Sequence, residues 1–303
     1  MLQFLPGPVL GSVMFTLLAI NTILWGIPVY IGIFAKLITP VKSWRIQILR
    51  IMMWLAESWS MTNIFISRHL LKVNFEICGV ENLDRKGIYL TICNHQSWVD
   101  IVVLHRAFGR VIPFFKFFLK QELIWVPILG PIWWGLEYPF MKRYTSYMLK
   151  KHPQLHGINM ETTRKACERY KDQPLALLNF PEGTRFTQEK RARQQSRYRH
   201  LLSPKAGGLA FTLLAIGERF HALLDVTIVY PDGIQGLWGF LCGRVSRIKV
   251  DVQKLSIPDK MRKGNYQKDA TFRQLFRVWV NNLWKEKDDR IHRMLMEEHK
   301  SNV

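Results

Sequence analysis

From position 1 to 35 no charged residue interrupts the chain, and 9–33 is a nearly continuous apolar run in which only Gly11, Gly26 and Pro28 weaken a helix. At about 1.5 Å of rise per residue such a helix is long enough for the roughly 30 Å hydrocarbon core of a bilayer. No Lys or Arg precedes the run and no small-x-small cleavage pattern follows it, so the pattern predicts an anchor rather than a cleaved signal peptide. Lys36, Lys42, Arg45 and Arg50 follow directly. The positive-inside rule then places the bulk of the chain in the cytoplasm. Between 44 and 69 the apolar positions are broken by Arg45, Arg50, Glu57 and Arg68. That spacing suits a helix lying at the membrane interface, with an amphipathic core helix as the alternative.

Beyond residue 72 the periodicity changes. Positions 73–78 alternate, 79–87 are turn-like, and 88–93 form a short β-rich run ending at Asn94-His95; 100–108 then reads as a helix. A second β-rich run, 175–180, ends in Pro181-Glu182-Gly183-Thr184-Arg185, and further strands are expected at 223–230 and 246–252 after a helical stretch at 207–217. Strands alternating with helices predict an α/β sheet, in which polar residues just beyond strand ends are the usual place for chemistry. The stretch 123–136, with Trp125, Trp133 and Trp134, is too short to span; it reads as a segment dipping into the leaflet or lining an acyl tunnel, or equally as buried core. The periodic, charged positions 271–299 predict a helix against or near the membrane face. The expected division is a membrane anchor at 1–72 and a catalytic domain at 73–303.

Composition adds a charge argument. Lys and Arg number 43 against 23 Asp and Glu, a formal charge of +20, so the surface should seek anions. Hydrophobic residues at 48% and charged residues at 22% exclude a wholly disordered chain, a collagen and a multi-span channel. Cys78, Cys93, Cys167 and Cys242 are widely separated with no C-x-x-C pair, which indicates neither a disulfide framework nor a cysteine zinc site, and fits a reducing compartment.

Two strand-end clusters carry candidate chemistry. In Asn94-His95-Gln96-Ser97-Trp98-Val99-Asp100 the histidine closes a strand and the aspartate enters the first turn of a helix. A carboxylate there can accept from one ring nitrogen and leave the other as a base; a capping histidine beside a solvated aspartate is the alternative. In Glu182-Gly183-Thr184-Arg185 the glycine allows close backbone approach, the threonine offers a hydroxyl and the arginine a bidentate fork, an anion cradle unless the segment is a corner with an exposed salt bridge. Cys93 and Ser97 flank His95, but Cys93 reads as a buried small hydrophobe and Ser97 as a helix cap rather than as nucleophiles. No H-E-x-x-H, G-x-G-x-x-G or G-x-x-x-x-G-K-[ST] occurs, so no metal site and no nucleotide-phosphate loop is expected.

Together these segments resemble the phosphate acyltransferase superfamily that includes 1-acylglycerol-3-phosphate acyltransferase, with the nearest likeness to its bacterial inner-membrane branch and related eukaryotic lysophospholipid acyltransferases. Asn94-His95-x4-Asp100 matches the family's N-H-x4-D motif, and Phe180-Pro181-Glu182-Gly183-Thr184-Arg185 its F-P-E-G-T-R motif, in the family's order. Lys120, Pro127 and Gly130 match the stretch between them, Arg143 corresponds to the arginine of the second motif, and the likeness covers roughly residues 70–290. Two positions depart. Lys142 stands where the second motif usually has Asp, which leaves the acceptor head group open, and the usual proline of the fourth motif is missing from Asp225-Val-Thr-Ile-Val-Tyr230.

The resemblance implies the glycerolipid acyltransferase fold, a mixed α/β sheet flanked by helices behind a membrane-embedded helical segment. It implies a fatty acyl transfer from acyl-CoA or acyl carrier protein, as co-substrate rather than cofactor, to the free glycerol hydroxyl of a lysophospholipid, foremost 1-acylglycerol-3-phosphate. His95 would be the base and Asp100 its orienting partner. Glu182, Gly183, Thr184 and Arg185, with Arg143 and Lys120, would bind the substrate phosphate. Anionic membrane lipids are the expected partners of the surface charge, and the inner (cytoplasmic) membrane the expected location, with the catalytic domain facing the cytoplasm. The rivals are a thioesterase or lipase using the same histidine, and a basic nucleic-acid protein. For the second, the basic run 190–199 speaks; the charge-free N-terminus and the lack of a reading module speak against it.

Overall fold

The computed structural model describes residues 4–142 and 173–301. The chain forms two compact units: Met1–Lys72 with Lys116–Ala166 and Leu241–Arg244, and Val73–Phe115 with Cys167–Phe240 and Val245–Val303. The units therefore interleave along the chain, whereas the sequence reading assigns everything after residue 72 to one domain.

In the first unit, helices α1 (Gly7–Ile38) and α2 (Lys42–Leu70) form an antiparallel hairpin. Pro8 suits the first turn of α1, where its missing N–H would have had no helical partner. The two helices are joined by polar contacts as well as apolar ones: Asn21 Nδ2 donates to Asn63 Oδ1 at 2.8 Å, and Trp59 Nε1 donates to Thr22 Oγ1 at 3.1 Å. Gly32 permits the close approach, since a Cβ there would lie 2.6 Å from Met52 Cγ. On the remaining surface of α1, Phe15, Ile23, Leu24, Ile27, Ile31 and Phe34 are exposed. It is the one helix among the described residues with the length and hydropathy to cross a membrane.

The stretch expected at 123–136 is a 3-10 turn, Gln121–Trp125, followed by the short helix Leu129–Gly135. It packs on α1: Tyr30 donates to Ile128 O at 3.0 Å, and Lys36 Nζ reaches Glu137 Oε1 at 2.7 Å and Gly135 O at 2.9 Å. Ile132 and Leu136 are buried there, while Trp125 is 85% exposed. The segment is thus mixed, with Ile132 and Leu136 packed inward and Trp125, Ile128 and Trp134 exposed.

The main sheet has strands β1 (Asn74–Cys78), β2 (Ile88–Cys93), β3 (Phe115–Phe117), β4 (Leu175–Asn179), β5 (Ala222–Val229) and β6 (Arg247–Leu255), in the order β1-β6-β5-β2-β4-β3, and all of them but β3 lie wholly in the second unit. β2 is parallel to both neighbours, pairing Leu90 with Leu177 and Leu223, while β5 and β6 are antiparallel. The sheet is therefore mixed, as the sequence reading expects. β2 and β5 are buried almost throughout, as central strands covered on both faces must be. β6 alternates between buried and partly exposed positions. Helix α3 (Val99–Phe108) follows β2, α4 (Ala206–Ile216) precedes β5, and α5 (Ala270–Ser301) closes the chain.

Helix α5 buries Phe276, Val280, Trp284, Lys287 and Ile291, a stripe at helical spacing. Fully buried Lys287 Nζ lies 2.5 Å from Asp225 Oδ1 on β5; Arg290 Nη1 lies 3.2 Å from Asp225 Oδ2 and Arg290 Nε 3.3 Å from Asp251 Oδ2 on β6. Two cations thus meet two carboxylates where α5 docks on the sheet.

Candidate active site

The site grows from the carboxyl end of β2. One residue past the strand, Asn94 completes the ladder with its side chain: Nδ2 donates to Ile228 O and Oδ1 accepts from Ile228 N, each at 2.9 Å. This fixes β2 to β5 at the point where the next residue, His95, projects beyond the sheet. Its Nδ1 lies 2.8 Å from Asp100 Oδ2.

Asp100 is fully buried in the first turn of α3 and is surrounded by donors. Oδ2 also accepts from the backbone N–H of Gln96 at 2.7 Å and of Ser97 at 2.9 Å, and Oδ1 accepts from the Tyr230 hydroxyl at 2.6 Å. The backbone N–H groups that donate to Oδ2 mark it as an acceptor, so in the neutral ring Nδ1 turns its hydrogen to Asp100 and Nε2 keeps the lone pair. The Phe180 ring stacks on the imidazole with centroids 4.2 Å apart, which restricts its rotation. The His95 side chain retains 17% exposure, enough to meet a substrate hydroxyl.

The segment after β4 wraps the same histidine. Glu182 Oε1 accepts from His95 N–H at 3.0 Å, Oε2 accepts from Leu202 N–H at 3.0 Å, and Phe186 N–H donates to His95 O at 2.7 Å. Both polar groups of the His95 backbone are thereby claimed by the Phe180–Arg185 motif and the residue that follows it. Glu182 has no exposure, and burial pushes its carboxyl up to about 8 against the lowering effect of the two N–H donors. The sequence reading places Glu182 among the phosphate ligands; in the structure both of its oxygens are engaged inward by backbone N–H groups, which frames the loop.

Gly183 adopts φ +67°, a left-handed conformation suited to glycine, and Lys205 Nζ sits 3.3 Å from where a Cβ would lie. Thr184 Oγ1 accepts from Lys190 Nζ at 2.9 Å, and the same ammonium reaches Arg185 O at 2.8 Å. Arg185 is exposed, with its guanidinium 4.8 Å from the centre of the Trp98 ring. Gly183, Thr184 and Arg185 are thus gathered beside His95 in one unit, with Lys190 and Lys205 adding positive charge. Lys120 is exposed and belongs to the other unit, and Arg143 lies outside the described residues.

Neither alternative nucleophile is presented for attack. Cys93 is fully buried, and that burial pushes its thiol well above the usual range. Ser97 Oγ donates to Gln235 O at 2.6 Å and accepts from Val99 N–H at 3.2 Å, fixing the turn that opens α3. Among the described residues, no three His, Cys, Asp or Glu side chains cluster so as to hold a metal ion. Sequence reasoning missed Tyr230 and the ladder role of Asn94. Tyr230 was within reach of the strand-end rule, being the polar residue that ends the run 223–230.

An imidazole oriented by a buried carboxylate beyond a parallel strand has the geometry that general-base chemistry requires. The chain belongs to the Acyltransferase family, whose model matches residues 74–230. It is 35% identical over 125 residues to 1-acyl-sn-glycerol-3-phosphate acyltransferase of Saccharomyces cerevisiae, covering 41% of this chain and 37% of that one. It is 29% identical over 219 residues to lysocardiolipin acyltransferase 1 of Gallus gallus (67% and 52%), and 26% identical over 211 residues to 1-acyl-sn-glycerol-3-phosphate acyltransferase delta of Homo sapiens (66% and 51%). The chain spans about half the length, or less, of these relatives. Among solved structures it is similar to the 1-acyl-sn-glycerophosphate acyltransferase PlsC of Thermotoga maritima, at 16% identity and a TM-score of 0.46, covering 89% of this chain and 98% of that one.

Proposed function

We propose that the protein is a membrane-bound O-acyltransferase that moves a fatty acyl group from a thioester donor, acyl-CoA or acyl carrier protein, to the free glycerol hydroxyl of a lysophospholipid. The observation that carries the reading is the His95–Asp100 pair at 2.8 Å with its second ring nitrogen free of that partner. As the hydroxyl oxygen attacks the thioester carbonyl, its proton passes to His95 Nε2. Asp100, held by its other donors, keeps the ring in place and balances the charge it gains. Collapse of the tetrahedral intermediate breaks the C–S bond, and the imidazolium returns the proton to the leaving thiolate. No acyl-enzyme forms.

Arg185 is the arm for the acceptor's phosphate, with Gly183 allowing close backbone approach and Arg143 and Lys120 as further candidates. Holding the acceptor in this way can supply several kcal/mol of the barrier reduction. The favoured acceptor is 1-acylglycerol-3-phosphate, giving phosphatidic acid. A lysophospholipid with another head group is the second reading, favoured by the similarity to a lysocardiolipin acyltransferase and by Lys142 in the second motif. The catalytic unit would face the cytoplasm at the inner membrane.

The test offers purified protein labelled acyl-CoA or acyl carrier protein with a panel of lysophospholipids and reads the product lipids by mass. Acceptor-dependent phospholipid that disappears in His95→Ala supports the reading. Release of free fatty acid at the same rate with and without acceptor would make the protein a thioesterase.

A further inference from the structure

Four donors converge on the Asp100 carboxylate, and three of them, the Nδ1–H of His95 and the N–H groups of Gln96 and Ser97, come from the same short loop and crowd onto Oδ2. The fourth comes from the far end of another strand. Tyr230, one residue past β5, donates its hydroxyl to Oδ1 at 2.6 Å, and both groups are buried. The backbone of this loop is tied to its surroundings through Asn94, Glu182 and Phe186, but none of those bonds reaches the Asp100 carboxylate itself. The Tyr230 bond ties the carboxylate to the end of β5, and it takes up the one carboxylate oxygen that the loop leaves without a donor.

We infer that Tyr230 is a positioning residue of the catalytic apparatus, a third member that orients Asp100 from β5 and thereby sets both the direction and the basicity of the His95 imidazole. The inference rests on the proposed general-base role of His95. A charged carboxylate that shares its charge with a hydroxyl donor pulls less on the imidazole proton than one that does not. Tyr230 is suited to remain that donor, because burial, and after it the neighbouring Asp100 charge, pushes its hydroxyl well above the ordinary tyrosine range. The other titratable groups around the pair are Cys93 on β2, Glu182 on the His95 N–H, and Lys287 of α5 and Asp225 of β5, which act on the pocket through the field. Arg185 approaches through Trp98. The other donors to Asp100 all sit on Oδ2, so removing the Tyr230 hydroxyl changes one defined interaction.

The test is Tyr230→Phe, which keeps the ring and deletes only the oxygen. Two readouts are taken. In the first, protein labelled with 15N-histidine is titrated by NMR, with the His95 resonance assigned by its loss in His95→Ala. The His95 titration should move to higher pH by several tenths of a unit, whatever reaction the enzyme performs; an unmoved titration would overturn the inference. In the second, kcat for acyl transfer should fall roughly 10- to 100-fold, the range of a hydrogen bond to a charged group, with KM for both substrates nearly unchanged. In an Asp100→Asn background the same substitution should cost little more, because the carboxylate it serves is gone. Full additivity of the two losses would also overturn the inference. Absence of acyl transfer in the wild type would count against the proposed function alone, since the NMR titration still decides the role of Tyr230.

Discussion

The carboxylate of Glu182 holds the backbone of His95: Oε1 accepts the His95 N–H at 3.0 Å, while Oε2 accepts that of Leu202. The two sequence motifs are therefore one mechanical object. The Phe180–Arg185 motif turns Arg185 outward and, through the residue three positions earlier, fixes where the Asn94–Asp100 motif places its histidine.

Glu182→Gln tests this arrangement. An amide keeps one accepting oxygen but presents an NH2 group to the other N–H, so a buried hydrogen bond is lost and two donors face each other. We expect a loss of about 1–3 kcal/mol at neutral pH, measured by thermal or urea unfolding in detergent, with a parallel fall in activity. The pH dependence has a definite sign. Burial raises the native carboxyl from 4.5 to about 8, so between those values the folded state holds a proton the unfolded state has released. Its contribution is present below the lower value and is lost as pH rises through the upper one. Glutamine does not titrate, so the stability gap between wild type and variant should narrow from pH 5 to pH 8. A gap that widens would show that the carboxylate is ionised in the fold.

His95→Ala should lower acyl transfer by about 10²–10⁴-fold, the usual contribution of a general base, in a protein that stays folded and membrane-bound. Asp100→Asn should also be severe, because an amide can donate to Nδ1 and favour the wrong tautomer. Cys93→Ser should retain substantial activity, since the thiol is sealed between strands with its ionisation suppressed by burial. Complete inactivation of folded Cys93→Ser would restore a covalent route.

Arg185 stacks on Trp98 at the surface rather than pairing inward. In the proposed function its role is with the anionic acceptor, since the thioester group itself carries no charge. Arg185→Ala should raise the apparent KM for the lysophospholipid far more than that for the acyl donor, and lysine should restore this only in part, because it lacks the planar fork. Equal effects on both substrates would count against the assignment.

Why some of this was legible in sequence and some was not follows from what periodicity encodes. β2 and β4 are short apolar runs that end in polar clusters, so their place and the strand-end position of His95 could be read directly. Side-chain direction after the strand could not. Glu182 lies beside Gly183 and Arg185 in the chain and was grouped with them, yet its side chain turns into the core while Arg185 turns out. The grouping of 116–166 and 241–244 with the N-terminal helices is a long-range relation that no local pattern announces. Tyr230 looked like the end of an apolar strand, and only the position of β5 beside β2 brings it to Asp100.

The docking of α5 on the sheet gives a stability prediction. Lys287 and Asp225 are both buried, 2.5 Å apart. Lys287→Ala removes a cation and leaves two carboxylates, Asp225 and Asp251, sharing Arg290. Breaking one member of a buried pair typically costs about 3–5 kcal/mol. Unfolding of the variant in detergent should show a loss of that order, and Lys287→Met with Asp225→Leu should recover much of it. A single variant as stable as wild type would mean that α5 is held by its apolar stripe alone.

The final prediction concerns α1, where two attractions to a membrane compete. Charge at +20 draws the protein to anionic lipid, and about 1 M salt, which shortens the Debye length to roughly 3 Å, would remove that term. Burial of Phe15, Ile23, Leu24, Ile27, Ile31 and Phe34 in hydrocarbon is not screened by ions, and at about 25 cal/mol per Å² it adds up to many kcal/mol. The protein should therefore stay with membranes through a high-salt wash and be released by detergent. Ile23→Asp with Ile27→Asp, four apart on the exposed face, should weaken this by about 2.5–3.5 kcal/mol per charge if the face lies in the hydrocarbon, and raise the fraction washed out; Ile23→Leu with Ile27→Leu should not. Quantitative release of the unaltered protein by salt alone would place α1 against protein rather than lipid.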